Sequence, residues 1–209
     1  GKWILPNDHL PPDSTMLFLA SGKDKRYVVD HWEQILGDGS LCRYITPNSQ
    51  VDNDWSLLNF DDASWQMGPL SIGYGDNDDN TVTENVTSVF IRRQFEIDSF
   101  DNVKYLAFHM DYDDGFIAYI NGVEIARSPN MSNVIGGYDD LAEIENEAVI
   151  YSGGEPEAYI FDHEFLTENM IEGNNVLSIQ VHNASANSSD LTARPFLHIG
   201  VVEELNLGN

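Results

Sequence analysis

Met110-Asp111-Tyr112-Asp113-Asp114-Gly115-Phe116-Ile117-Ala118-Tyr119-Ile120-Asn121-Gly122-Val123-Glu124-Ile125-Ala126-Arg127 contains two short alternating apolar runs joined by Asn-Gly. Asn-Gly between alternating runs is the strongest short-range hairpin signal, because a type I′ turn needs φ > 0 at both central residues and Asn and Gly tolerate it. Phe116, Ala118 and Ile120 fall on one face of the first strand, and Ile117 and Tyr119 on the other. Ahead of that strand stand Asp111, Asp113 and Asp114, closed by Gly115, so a rigid ribbon carries three carboxylates at its entrance.

Working outward, Lys104–Met110 predicts a strand with Leu106, Phe108 and Met110 inward, and Ser88–Phe95 another with Val89, Ile91 and Phe95 on one face. Ala148–Tyr151 and Ala158–Phe161 read as short strands. Asn175–His182 places Leu177, Ile179 and Val181 on one side, and Phe196–Val201 closes the set with Leu197, Ile199 and Val201. Two short helices are expected: Trp32–Leu36, capped by Asp30 and stopped by Gly37, and Phe165–Ile171, with Leu166 and Met170 one turn apart. Asp61-Asp62-Ala63-Ser64-Trp65 reads as a capped turn with Trp65 in the core as a structural residue, alongside Asn121 and Gly122 of the turn. Residues 128–147 form a polar loop of a length that is usually functional or mobile. Many short strands with frequent turn signals and few helical turns indicate an all-β fold, an antiparallel β-sandwich of the jelly-roll kind.

The 209 residues suit one large all-β domain, or one domain plus part of another, and 42% hydrophobic residues are enough for a real core. Ten basic against 35 acidic residues give a formal charge of −25. Such a surface repels nucleic acid and anionic lipid, both of which are bound through Lys and Arg, and it favours cations. No apolar run is long enough to span a membrane, so membrane insertion is not expected, and no signal peptide is seen. Cys42 is the single cysteine, so no internal disulfide forms; that usage suits the cytosol and also large bacterial surface proteins. Sequons at Asn85, Asn130, Asn183 and Asn187 matter only in a eukaryotic secretory route.

Gly1 opens directly into Lys2-Trp3-Ile4-Leu5-Pro6, which reads as mid-strand, so the expectation is a segment of a longer, processed polypeptide. Strand-like runs Lys2–Leu5 and Thr15–Ala20 cannot form a domain alone. As edge strands they are expected to pair with a neighbouring domain or subunit, a route to self-assembly into a fibre or array. The expected organisation is residues 1–25 as a fragment of one domain, 26–53 as a connector, 54–203 as the sandwich and 204–209 as a tail.

A series of landmarks recurs in order: Asn59-Phe60-Asp61-Asp62-Ala63-Ser64-Trp65, Gly73-Tyr74-Gly75-Asp76, Arg92-Arg93-Gln94-Phe95, Asp113-Asp114-Gly115-Phe116-Ile117-Ala118-Tyr119-Ile120-Asn121-Gly122, Gly173-Asn174-Asn175-Val176, Val181-His182-Asn183 and Ser188-Ser189-Asp190-Leu191. Together, over about residues 50–202, they resemble the galactose-binding-like jelly-roll modules attached to large secreted bacterial proteins, where they occur beside lamin-tail and spore-coat-H-like domains. Residues 1–25, with Trp3-Ile4-Leu5-Pro6 and Phe18-Leu19-Ala20-Ser21-Gly22-Lys23-Asp24, resemble the closing strands of a lamin-tail immunoglobulin-like domain. The resemblance implies a secreted or cell-surface module, non-catalytic, for adhesion or carbohydrate contact, or a structural spacer in a surface assembly. Its expected partners are a glycan or neighbouring surface-protein domains. The family name describes a shape rather than a specificity.

Asp111, Asp113 and Asp114 suit calcium, a hard ion taking six to eight oxygen ligands, and they equally suit capping of backbone amides. Asp76, Asp78 and Asp79, with Asn77, make a second acidic loop, although no glycine or distal Glu stands in EF-hand register. Calcium is the one cofactor these clusters point to. The Ser188-Ser189-Asp190 motif is expected to return beside the central hairpin, with Asp190 in a structural role accepting from Arg127 or from backbone amides. Arg92 and Arg93 point to opposite faces of one strand, so pairing of an inward guanidinium with an aspartate is expected, because an unpaired buried charge is expensive. For carbohydrate, Tyr74, Tyr112, Tyr119 and Tyr138 offer stacking rings and Arg127 a hydroxyl-binding group. An enzymatic alternative also stands: His109-Met110-Asp111 with His182 and Arg194 matches the order of a jelly-roll Fe(II)/2-oxoglutarate oxygenase.

Overall fold

A computed structural model describes residues 27–202, with the exception of Asp76 and Ile135. Twelve strands and one α-helix follow in order: β1 (His31–Leu36), β2 (Leu41–Ile45), β3 (Gln66–Pro69), β4 (Ile72–Tyr74), β5 (Thr81–Val82), β6 (Ser88–Ile97), β7 (Val103–Asp113), β8 (Gly115–Ile120), β9 (Val123–Arg127), β10 (Glu157–Asp162), α1 (His163–Asn169), β11 (Gly173–His182) and β12 (Leu191–Val201). One sheet runs β10-β7-β12-β4-β5, with β1 also on β12; the other runs β3-β2-β6-β11-β8-β9. All pairings are antiparallel except β4 with β5. The fold is an all-β sandwich, as the spacing of apolar residues predicts.

The core lies between the sheets. Leu106, Phe108 and Met110 of β7 meet Phe116, Ala118 and Ile120 of β8, with Ile91 of β6 and Leu177, Ile179 and Val181 of β11. Fully burying each such large side chain stabilises the fold by about 1.5–3 kcal/mol. A second cluster sits on the outer face of the β6–β11–β8 sheet, where Phe90 is covered by Trp55 and Trp65 from the loop after β2. Trp65 is buried as expected, in this outer cluster rather than between the sheets. Ile117 packs outward on Met131 and Ala142 of the loop after β9, which gives that long polar segment an apolar seat.

The β8–β9 turn is the Asn-Gly turn of the sequence: Asn121 has φ 50° and Gly122 φ 87°. Asn121 does more than turn. Its side chain donates to Asn169 O and Asn175 Oδ1 and accepts from Val176 N at 3.0 Å, fastening the hairpin tip to α1 and β11. α1 begins at His163, two residues before the expected helix, because the Asp162 carboxylate caps Phe165 N at 3.1 Å.

Three expectations are corrected. Trp32–Leu36 is not a helix but the greater part of β1, which lies on β12 from His31↔Val201 onward. Five residues cannot hold a helix without tertiary help, and the open edge of β12 offers a full ladder instead. Residues 26–53, expected as a connector, supply both β1 and β2 to the sandwich. Ala148–Tyr151 is not a strand: the chain makes a 3-10 turn at Ile150–Ser152, because the amides of Val149 and Ile150 are taken by Asp111. The runs Lys2–Leu5 and Thr15–Ala20, and with them the lamin-tail-like fragment and the tail, lie outside the described residues.

Candidate functional site

Alternation along β7 sends Met110 and Tyr112 into the core and leaves Asp111 and Asp113 on the other face. The three aspartates at the ribbon's entrance then divide their work. Asp111 accepts Val149 N at 2.7 Å and Ile150 N at 3.0 Å, one amide on each oxygen. Asp114 accepts Asn146 N at 2.8 Å and Ala184 N at 2.6 Å, again one on each oxygen. These two carboxylates clamp the loop after the 3-10 turn at Pro129–Met131 and the segment after β11 onto the end of β7. Contrary to a shared ion among Asp111, Asp113 and Asp114, two of the three are spent on backbone amides.

Asp113 is different. It is 4% exposed, and the clamped loops bring Glu147 and Asp190 to it, with carboxylate oxygens of all three within 4.8 Å of one another. Burial, then the carboxylates of Asp114, Asp190 and Glu147, push its carboxyl up from the ordinary 3.8 to about 8. Every named neighbour raises it, so the buried group must keep a proton or face a cation. Among the described residues, this is the one group of three or more His, Cys, Asp or Glu side chains placed to hold a metal ion together. Asp113 is buried, Asp190 half-buried and Glu147 exposed, a hard-oxygen set with room on the outer side for further ligands.

The β11–β12 loop delivers Asp190. Ser189 Oγ donates to Asp190 Oδ1 at 2.7 Å, and Tyr74 Oη donates to Ser188 O at 3.2 Å while accepting Asn183 Nδ2 at 2.8 Å. Gly75, at φ 113°, allows the close pass, since a Cβ there would stand 2.6 Å from both Asp190 Cβ and Ser189 O. Asp190 does return beside the central ribbon, but its neighbour is Asp113 rather than Arg127. Arg127 instead pairs with Glu124 at 2.6 Å and donates to Met131 O and Val134 O, stapling the following loop.

The other expected site residues are placed as follows. Asp76 lies outside the described residues. Asp79 Oδ1 accepts the Ser71 hydroxyl at 2.8 Å. Asp78 has both carboxylate oxygens shielded from solvent without a hydrogen-bond partner; the pKa of Arg194 is raised chiefly by its bond to Asp38, with the Asp78 charge adding to it. Tyr74 and Tyr112 are buried, so neither offers a free stacking face; Tyr112 Oη donates to Glu157 at 2.8 Å and its ring packs 4.7 Å from Phe116. Tyr138 is half-buried against the Trp55–Trp65 cluster, and Tyr119 packs edge-on to Trp55 at 5.7 Å. The oxygenase constellation does not assemble: His182 lies in the opposite sheet, with Nδ1 2.9 Å from Asp140 O and Nε2 3.1 Å from the Gln180 amide. Asp111 is committed to two amides, and Arg194 forks onto Asp38.

Glu147 was not singled out by the sequence, where it is one of several acids in an aperiodic loop. The signal available was the loop's length.

No protein-family model matches the chain, and no curated protein sequence matches it. Among solved structures, a β-glucuronidase from glycoside hydrolase family 2 is similar, with 15% identity and a TM-score of 0.52 over 84% of this chain. A Bacteroides uniformis β-glucuronidase is similar too, with 14% identity and a TM-score of 0.50 over 81% of this chain. This chain spans 18% of the length of each of those proteins. The likeness is one of fold, the β-sandwich.

Proposed function

We propose that this chain is a non-catalytic β-sandwich module, galactose-binding-like in shape, that contacts carbohydrate at a bacterial cell surface and is stabilised by calcium at Asp113, Glu147 and Asp190. The observation that carries the reading is that cluster: a buried carboxylate whose named neighbours are all acidic, placed by two clamped loops at one end of a sandwich. The sandwich it shares with parts of carbohydrate-processing proteins supports the carbohydrate side of the reading. A set of three carboxylates with one exposed member suits a weak extracellular calcium site, with a dissociation constant on the order of 10⁻⁴–10⁻³ M, and the acidic surface suits water rich in divalent cations. The commitment of Asp111, His182 and Arg194 to structural partners supports a binding role over an oxygenase. Pairing with a neighbouring domain or subunit would rest on the Lys2–Leu5 and Thr15–Ala20 runs, which lie outside the described residues. Glycan-array retention in calcium and in chelator tests the reading. Selective retention in calcium that weakens in chelator is expected; retention of no glycan under either condition contradicts it.

A further inference from the structure

Of the five histidines among the described residues, three have hydrogen-bond partners: His31 on Glu33 at 2.8 Å, His163 on Val103 O at 3.0 Å, and His182 on Asp140 O and the Gln180 amide. His109 and His198 are the other two. Nδ1 of each is shielded from solvent and has no hydrogen-bond partner. The two rings are also each other's neighbours, with centroids 5.5 Å apart and planes at 89°. The order of the sequence suggests His109 with Asp111 and His182; the fold sets it beside His198 instead.

Strand alternation explains the meeting. Leu106, Phe108 and Met110 of β7 and Leu197 of β12 enter the core, which turns Ala107, His109, Phe196 and His198 to the outer face of the first sheet. In the antiparallel ladder His109 lies opposite Phe196 and His198 opposite Ala107, so the imidazoles meet on the diagonal. On their far sides stand Ala158 of β10 and Gln34 of β1. Three of these four flanking side chains carry no polar atom, and the fourth, Gln34, is exposed. Enclosed polar atoms are ordinarily satisfied. An ion shared by two imidazoles satisfies both rings through their lone pairs, and imidazole suits zinc, nickel and copper rather than calcium or magnesium. Burial, and for His198 also the neighbouring His109, lowers both imidazoles below their ordinary 6.5, so each offers a lone pair at neutral pH. Two imidazoles on one tetrahedral ion, each with a Zn–N bond of about 2.0–2.1 Å, hold their ring centres roughly 5 Å apart, close to the spacing here. Both rings are half-buried, which leaves an ion access from solvent, and the field of a chain carrying −25 draws cations in.

We infer that His109 and His198 together hold one divalent transition-metal ion, of the zinc, nickel or copper class, on the outer face of the β7–β12 ladder, with water in its remaining positions. The site is separate from the carboxylates around Asp113 and independent of the carbohydrate reading. The test titrates the full chain with zinc at neutral pH in excess calcium, which keeps the carboxylates occupied. Calorimetry measures affinity, and nuclear magnetic resonance of the histidine rings reports the place. The expected result is saturable binding of a single ion with the His109 and His198 ring signals shifting together. Affinity is expected to fall at least tenfold in His109→Gln and in His198→Gln, and to be unchanged in His31→Gln. Thermal melting checks that each variant is folded, and the ring signals of the unsubstituted chain decide the place whatever the variants do. No saturable binding, a shift in one of the two rings alone or only in other histidines, or full affinity in either folded His→Gln variant of the pair overturns the inference.

Discussion

Arg92 Nε lies 2.8 Å from Asp62 Oδ2, and the Arg92 side chain is fully enclosed while Asp62 keeps a fifth of its side chain exposed. The same guanidinium donates through Nη1 to the carbonyls of Trp55 and Leu57 and sits 5.2 Å over the Phe60 ring. One strand residue thus fixes the loop that covers the outer aromatic cluster. Replacing it by Met removes the cation and strands Asp62 and two carbonyls, so Arg92→Met is expected to destabilise by about 3–5 kcal/mol. Chemical denaturation checks this, and a change below about 1 kcal/mol would show that the pair is not what holds the loop.

Gly73 is required by packing rather than by a turn. A Cβ there would lie 1.9 Å from Leu191 O and 2.4 Å from Asp79 Oδ2, on the ladder between β4 and β12. Gly73→Ala is expected to cost about 3 kcal/mol and lower Tm by roughly 10 °C. An unchanged Tm by calorimetry would mean that β4 does not sit against β12 as described.

Two groups set opposite pH limbs in metal-free protein. Asp113 is raised to about 8 in the fold, so the folded chain holds its proton longer than the unfolded one, and stability falls as pH rises from about 4 to about 8. His182 is lowered to about 4 by burial, so stability falls as pH drops from 6.5 toward 4. The two oppose each other below pH 6.5, leaving a net decline between 6.5 and 8 of up to about 1.4 kcal/mol per pH unit. Asp113→Asn should abolish that decline and expose the His182 acid limb that Asp113 otherwise offsets. Melting in chelator across pH 4–9 reads both, and an Asn variant that still declines above pH 6.5 would place the cause elsewhere.

His182 can be separated from Asp113 by its own variant. Its imidazole is enclosed between Asp140 O and the Gln180 amide, so it folds neutral. His182→Gln removes the titrating group, and the variant should go on gaining stability as pH drops from 6.5 toward 4, where the native chain levels off, even if it is less stable throughout. A variant profile that stays level below pH 6.5 would assign the offset to other groups.

The hairpin, the strand faces of β6, β7, β8 and β11, and the Asp-paired arginine were legible because each is a local pattern whose neighbours agree. Phe116, Ala118 and Ile120 could face only one way once Asn121-Gly122 set the turn. Trp32–Leu36 reads as a helix in the sequence because five residues with mixed polarity carry no decisive period, and pairing with β12 decides the matter. Tyr74 and Tyr112 were indistinguishable in sequence from exposed rings, although both end in the core with their hydroxyls satisfied. The acidic site was half legible. Asp113 stood in the right cluster, but which carboxylates join it depends on where two loops return, and only Asp111 and Asp114 clamping those loops put Glu147 and Asp190 beside it.

Calcium titration of chelator-stripped protein at pH 8, by calorimetry with melting curves on the same samples, tests the central claim. The account predicts saturable binding of about one ion with a dissociation constant on the order of 10⁻⁴–10⁻³ M, a Tm that rises with calcium, and loss of both effects in Asp113→Asn and Asp190→Asn. No heat and no Tm change at millimolar calcium, or binding that both variants retain, would contradict it.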